Sequence, residues 1–135
     1  MNHFIPTKLF YGNDSFAYYS KKRPKNLIVF VHGFGGSSLD TWKEFNIILR
    51  QQAVYSESDI IFYGYDSLFQ QAGESVLKFF TFVDTYHKPQ NVAIEKFRRL
   101  GRGFEYDNIV FAAHSLGAIV VRAALSAALD KGKEW

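Results

Sequence analysis

The sequence predicts an α/β fold built on a parallel sheet, from three observations. Residues 27–31 (Leu-Ile-Val-Phe-Val) form an unbroken apolar, β-branched run of the kind buried on both faces of a sheet. Two further runs, 60–65 and 109–113, have the same character, and apolar residues recur at helical spacing between and after the three. Strand and helix in alternation close into parallel neighbours through helical crossovers, which cover both faces of the sheet. The 135 residues suit a single domain, and 47% hydrophobic against 21% charged residues excludes disorder.

The elements follow in order. Segments 9–11 and 16–19, rich in β-formers, flank Gly12-Asn13-Asp14 and predict a strand pair around a tight turn. Residues 21–25, with Pro24, form the loop out, and 27–31 should be the central strand. After the loop 33–38, Leu39, Trp42, Phe45, Ile48 and Leu49 predict a helix to about residue 52, with Thr41 and Glu44 as a capping box. Strand 60–65 ends at Asp66. A helix with Val76, Phe79, Phe80 and Val83 on one face follows and is broken at Lys88-Pro89. A shorter helix is predicted over 91–100, capped by Gly101. Strand 109–113 runs into His114-Ser115, and 116–129 reads as a helix of small residues stopped by Gly132.

Composition narrows the function classes. Sixteen Lys and Arg against 13 Asp and Glu give a net charge of +3, too mild for a nucleic-acid footprint, and no nucleic-acid-binding motif accompanies the basic clusters 21–25 and 96–102. The absence of cysteine excludes disulfides, thiolate metal sites and a thiol nucleophile. With no signal-like start and no apolar run of ~20 residues, the expected address is the cytoplasm. Phosphate-loop, dinucleotide and zinc-protease motifs are also missing, so no cofactor is expected.

The segment that carries chemistry is Ala113-His114-Ser115-Leu116-Gly117, between a buried strand and a helix of small residues. A serine exposed on so sharp a strand-to-helix turn needs a strained backbone, and the residues two before and two after must be small for the backbones to meet. Some eighty residues earlier, another buried strand runs into His32-Gly33-Phe34-Gly35-Gly36.

Together these segments resemble the nucleophile elbow and oxyanion loop of the α/β-hydrolases, a three-layer αβα fold, with Ala113 where the pattern G-x-S-x-G has its first glycine. The resemblance implies Ser115 as nucleophile and the backbone amides of Phe34 and Leu116 as oxyanion donors. His32, Gly33, His114, Gly117 and Asp66 would support the site, with the two histidines orienting loops. Tyr63-Gly64-Tyr65-Asp66-Ser67 and the run 114–122 are similar to the lipase-like branch that includes the GPI inositol deacylases. The implied substrate is a small-molecule or lipid ester, with peripheral membrane contact as one option.

The family places an acid and then a histidine after the nucleophile. Here only Asp130 and Glu134 follow Ser115, and no histidine does. The favoured reading is a partial hydrolase domain over 1–135, truncated after the elbow helix, with acid and base on a missing C-terminal half or a partner chain. The alternatives are a degenerate hydrolase fold acting as an interaction module, recruitment of His87 or His32 as base, and an unrelated α/β protein in which Ser115 merely caps a helix. Ser75-Val76-Leu77-Lys78 matches S-x-x-K without its companion motifs and reads as chance on an amphipathic helix. Phe79, Phe80, Phe82 and Tyr86 could face lipid, but core packing is the simpler expectation.

Overall fold

The computed structural model describes residues 2–88, 100–101 and 103–135. Five strands form one sheet in the order β1-β2-β4-β3-β5: β1 (Thr7–Leu9), β2 (Ser15–Tyr18), β3 (Asn26–Val31), β4 (Ser58–Tyr63) and β5 (Asn108–Ala113). The described helices are α1 (Lys43–Gln51), α2 (Ala72–Tyr86) and α3 (Leu116–Asp130). The predicted helix over 91–100 lies almost wholly outside the described residues, as do Lys96, Arg98, Arg99 and Arg102.

The apolar run of β3 makes it central, with parallel partners on both sides: Val29 sits opposite Ile61 of β4 and Phe111 of β5. Only this β4-β3-β5 part of the sheet is parallel. β2 pairs antiparallel with β4, and β1 with β2, so the sheet is mixed rather than parallel throughout. The reason is local: a two-strand pair joined by a tight turn must be antiparallel, and Gly12 and Asp14 both take positive φ to make that turn.

Side-chain alternation along the strands splits the core in two. Val29, Val31, Ile61 and Tyr63 pack under α2 and α3, with Phe79, Phe82, Val83, Val120 and Ala124. Phe30, Ile60 and Phe62 face the other way, toward Leu49 of α1 and Trp42. The first layer is a web of rings, Tyr63 lying 4.8 Å from Phe82 and 5.0 Å from Phe79 between centroids. On the opposite face Phe30 stacks on Phe62 at 5.0 Å. Phe79, Phe80, Phe82 and Tyr86 are thus core residues and present no lipid-facing surface.

The region before α1 differs from expectation. The chain takes a 3-10 turn over Asp40–Trp42, α1 begins only at Lys43, and its N-cap is Trp42 with no side-chain bond. There is no capping box, because the Thr41 hydroxyl accepts the Ser37 N–H at 3.1 Å and so closes the preceding loop instead. The buried face of α1 also includes Asn46, which donates to the Tyr18 hydroxyl at 3.3 Å and accepts from Arg50 Nε at 2.9 Å. In the basic cluster 21–25, Arg23 is not simply solvated: it donates to the Leu100 carbonyl at 2.9 Å and its guanidinium lies 4.8 Å from the Phe104 ring.

Candidate functional site

β3, β4 and β5 run parallel, so their carboxyl ends open on one edge of the sheet, where α/β proteins gather functional loops. The hairpin turn 10–14 reaches the same edge, because antiparallel pairing sets Phe16 of β2 opposite Phe62 near the end of β4. There the Asn13 N–H donates to the Gly64 carbonyl at 2.8 Å and the Gly64 N–H to Ser15 Oγ at 2.9 Å. A Cβ at Gly64 would collide with the Asn13 carbonyl, so this contact requires glycine.

Ser115 stands between β5 and α3 with φ 55° and ψ −122°. That is a left-handed conformation for a non-glycine residue, one of two such positions among the described residues, Asp14 being the other. Although Ser115 occupies the N-cap of α3, its side chain makes no capping bond, so the reading of it as a plain helix cap fails. The side chain is exposed instead. The strain is held by its surroundings: the His114 N–H donates to the Val31 carbonyl at 3.0 Å, and the Gly117 N–H to the His114 carbonyl at 3.0 Å. A Cβ at Gly117 would overlap the His32 carbonyl and come within 2.6 Å of the Val31 carbonyl, so α3 packs against the end of β3 only because residue 117 is glycine.

The loop after β3 abuts this turn. A Cβ on Gly33 would sit 3.0 Å from the His114 carbonyl and 3.0 Å from the Ser115 Cβ. Phe34 follows, its ring exposed. Among the described residues the Phe34 amide finds no acceptor, and the Leu116 N–H is the first of α3, where a helix offers none.

His32 is fully buried and committed on both ring nitrogens. Nδ1–H donates to the Gly33 carbonyl at 2.9 Å, while Nε2 accepts the Tyr65 N–H at 3.1 Å. The Tyr65 hydroxyl donates back to the His32 carbonyl at 2.9 Å, and the two rings stack at 4.4 Å. Burial lowers the His32 pKa below the ordinary imidazole value, only partly offset by the bonds to Gly33 and Tyr65. A neutral ring with neither nitrogen to spare positions the loop and cannot serve as a general base.

Asp66 turns its Oδ1 to the amides of Leu68, at 3.2 Å, and Phe69, at 3.0 Å, shaping its own loop. The contact with the loop after β3 comes from its neighbour: the Gly35 N–H donates to Ser67 Oγ at 2.8 Å. Tyr65 and Ser67 stood in the sequence reading only within the run 63–67, with no contact or role assigned to either. The signal that could have found them is the polar run directly after a strand ending on the site's edge.

The remaining histidines lie elsewhere. His3 Nε2 donates to the Ser58 carbonyl at 2.8 Å, at the amino end of β4. His87 caps α2 with Nδ1 3.1 Å from the Val83 carbonyl. His114 is exposed beside Ser115, and no hydrogen bond joins it to the serine among the described residues. Ser75 is buried and donates to Gln70 Oε1 at 3.0 Å while Lys78 pairs with Glu74, which removes the S-x-x-K match from consideration. Among the described residues no group of three or more His, Asp or Glu could hold a metal ion, and no helix is long and apolar enough to cross a membrane.

Chemically, this edge offers an exposed serine on a strained turn beside two amides without acceptors and the amino end of a 15-residue helix. The model of the family described as "Putative serine esterase (DUF676)" matches residues 21–134, most of the chain. The chain belongs to this esterase family. No curated protein and no solved structure matches it. The esterase match spans β3, β4, β5 and all three described helices, so the loops after the three parallel strands fall inside it, whereas the β1-β2 hairpin precedes it.

Proposed function

We propose that this esterase chain carries the nucleophile and oxyanion side of an α/β-hydrolase that works through an acyl-enzyme. Ser115 Oγ attacks the ester carbonyl, and the amides of Phe34 and Leu116 take the developing negative charge, each such donor being worth about 3 kcal/mol in related chemistry. The carrying observation is the backbone of Ser115: φ 55° on a serine whose side chain neither caps the helix nor is buried. Strain of about 1–3 kcal/mol at a residue with no structural task is the mark of a functional one. Gly33, Gly117, His32, His114 and Asp66 shape the loops around it. The reading takes the chain as cytoplasmic and of the GPI inositol deacylase-like branch.

The acid and histidine come, in this reading, from residues beyond 1–135, in the same polypeptide or a partner. Three of the four histidines are bonded elsewhere, and β5 supports further pairing on its free side. Its sequence, Asn-Ile-Val-Phe-Ala-Ala, is that of an inner strand, yet it is the outermost of the described strands on that side, with Val110 half exposed. A cleft of about 730 Å³ runs past that edge, lined by Ile28, Val110 and Tyr55 among others and by Phe111, Leu125 and Trp135. The experiment is fluorophosphonate labelling read by intact mass, on this chain and on a form extended at its C-terminus. Rapid labelling of the extended form that disappears in Ser115→Ala is the expected result. Labelling that survives Ser115→Ala overturns the assignment.

A further inference from the structure

The turn that bears the proposed oxyanion donor at Phe34 has little of its own to hold its shape. Three of its four residues, Gly33-Phe34-Gly35-Gly36, are glycines, which have the widest choice of backbone angles. At its tip packing adds nothing: the Phe34 ring is 68% exposed, and a Cβ built on Gly35 would meet no atom within 4 Å. Its peptide planes are fixed by hydrogen bonds.

Two planes matter. The Gly36 N–H returns to the Gly33 carbonyl at 3.1 Å, closing a four-residue turn, and the His32 Nδ1–H donates to the same carbonyl at 2.9 Å. A trans peptide points its N–H and C=O in opposite directions, so a Gly33 carbonyl held on that side sends the Phe34 N–H to the other. The second plane joins Phe34 to Gly35. Gly35 takes φ 71° and Phe34 takes no positive φ, the combination of a type II turn, which differs from type I by a flip of this central peptide. Its N–H, that of Gly35, donates to Ser67 Oγ at 2.8 Å.

Both holds come from one stretch of chain, the loop after β4. Tyr65 sets the His32 ring through its N–H, 3.1 Å from Nε2, and Ser67 takes Gly35. Asp66 between them stiffens the loop by accepting the Leu68 and Phe69 amides. Ser67 Oγ makes no other hydrogen bond among the described residues, and the N-cap of the following helix is Gln71, so capping does not account for this hydroxyl.

From this we infer that Ser67 is a positioning residue of the proposed esterase: by holding the Phe34–Gly35 peptide it keeps the turn in the form that presents the Phe34 amide to the developing oxyanion. The inference rests on the esterase reading for the charge that this amide meets, but the hold of Ser67 on the turn is a property of the chain alone. With the hydroxyl removed, the central peptide is free to flip and the neighbouring plane follows, displacing a donor that must lie within hydrogen-bond reach of the oxyanion. Such a bond matters most in the transition state, so its loss falls on rate more than on binding.

Two measurements test it, the first without turnover. In ¹H–¹⁵N spectra of the 135-residue chain, Ser67→Ala should speed exchange of the Gly35 amide about tenfold and shift the Phe34 amide resonance. Ser67→Thr, which keeps the hydroxyl, should restore both, and Gly35→Ala, which meets no neighbour but penalises the positive φ, should shift the Phe34 amide in the same direction as Ser67→Ala. Circular dichroism should be the same for all three variants. A Phe34 amide unmoved in Ser67→Ala, or moved equally in Ser67→Thr, overturns the inference. In the C-terminally extended form, fluorophosphonate labelling of Ser115 should slow about tenfold to a hundredfold in Ser67→Ala, less than for an oxyanion donor removed outright, with the fall in the limiting rate and not in the half-saturating probe concentration. Labelling of Ser67→Ala at the parent rate overturns it as well. An extended form that does not label at all sinks the esterase reading, and the Phe34 amide of the 135-residue chain still decides whether Ser67 sets that donor.

Discussion

The two ends of the sheet are built on opposite principles. At the amino end, a network of buried polar groups is paired across the strands. Asp59 is fully buried and accepts the Ser20 N–H at 2.8 Å and the Tyr106 hydroxyl at 2.6 Å, tying β2 and the approach to β5 onto β4. Ser20 Oγ donates to the Ser56 carbonyl, and Lys25 bridges by backbone bonds to Glu57 and Asp107. At the carboxyl end the backbone is strained at Ser115, the loops carry bare rings, and the amides of Phe34 and Leu116 find no acceptor among the described residues. One end spends its hydrogen bonds on stability, and the other, in the proposed reading, keeps groups unsatisfied for a substrate, as a site built for differential binding requires.

The largest expected effect breaks the stable end. Asp59→Ala leaves a buried amide and a phenol without their acceptor and should lower unfolding free energy by about 3 kcal/mol in urea titrations; a loss below about 1 kcal/mol would mean that the amino end is not the anchor. At the site end, Gly117→Ala drives a methyl into the carbonyls of His32 and Val31 and should cost about 2 kcal/mol. Ser115→Gly sharpens the contrast by its opposite sign. Releasing the positive φ should raise stability by about 1 kcal/mol while abolishing labelling, and no gain would argue that the turn is unstrained.

Protons provide the mildest perturbation. His32 has a folded-state pKa below that of an unfolded chain, so the unfolded state binds more protons as pH falls below the ordinary histidine value of about 6.5. Its contribution to stability is complete above that value and declines beneath it until the folded state protonates too. Ring ¹⁵N spectra should therefore show the neutral His32 ring, with Nδ1 protonated, persisting to lower pH in the folded protein than in the unfolded chain. A folded-state ring that charges at the same pH as the unfolded one would dissolve the account of the Tyr65 clamp.

How much of this was legible in the residues depends on range. The strands at 27–31, 60–65 and 109–113 were visible as unbroken apolar runs; burial accounts for the first two, whereas β5 has no fully buried residue among those described. The register at the ends shifted by one or two residues, β4 beginning at Ser58 and ending at Tyr63. The Thr41–Glu44 box was legible as a pattern and wrong, because Thr41 had a tertiary alternative in Ser37. The sharp strand-to-helix turn could be read in the small residues around Ser115. The contacts of Tyr65 and Ser67 could not, since their partners His32 and Gly35 lie 33 and 32 positions away and meet them only across the sheet edge.

By itself, then, the chain determined its alternation of elements, its central strand and the turn that lifts Ser115, because these depend on periodicity and on neighbours a few residues apart. The tertiary structure alone decided which loop ties which, where a fully buried histidine finds both its partners, and that Phe10, Phe34 and Phe69 are left exposed near the same edge of the sheet. Those are outcomes of strand order, and strand order is set by the packing of segments distant in sequence.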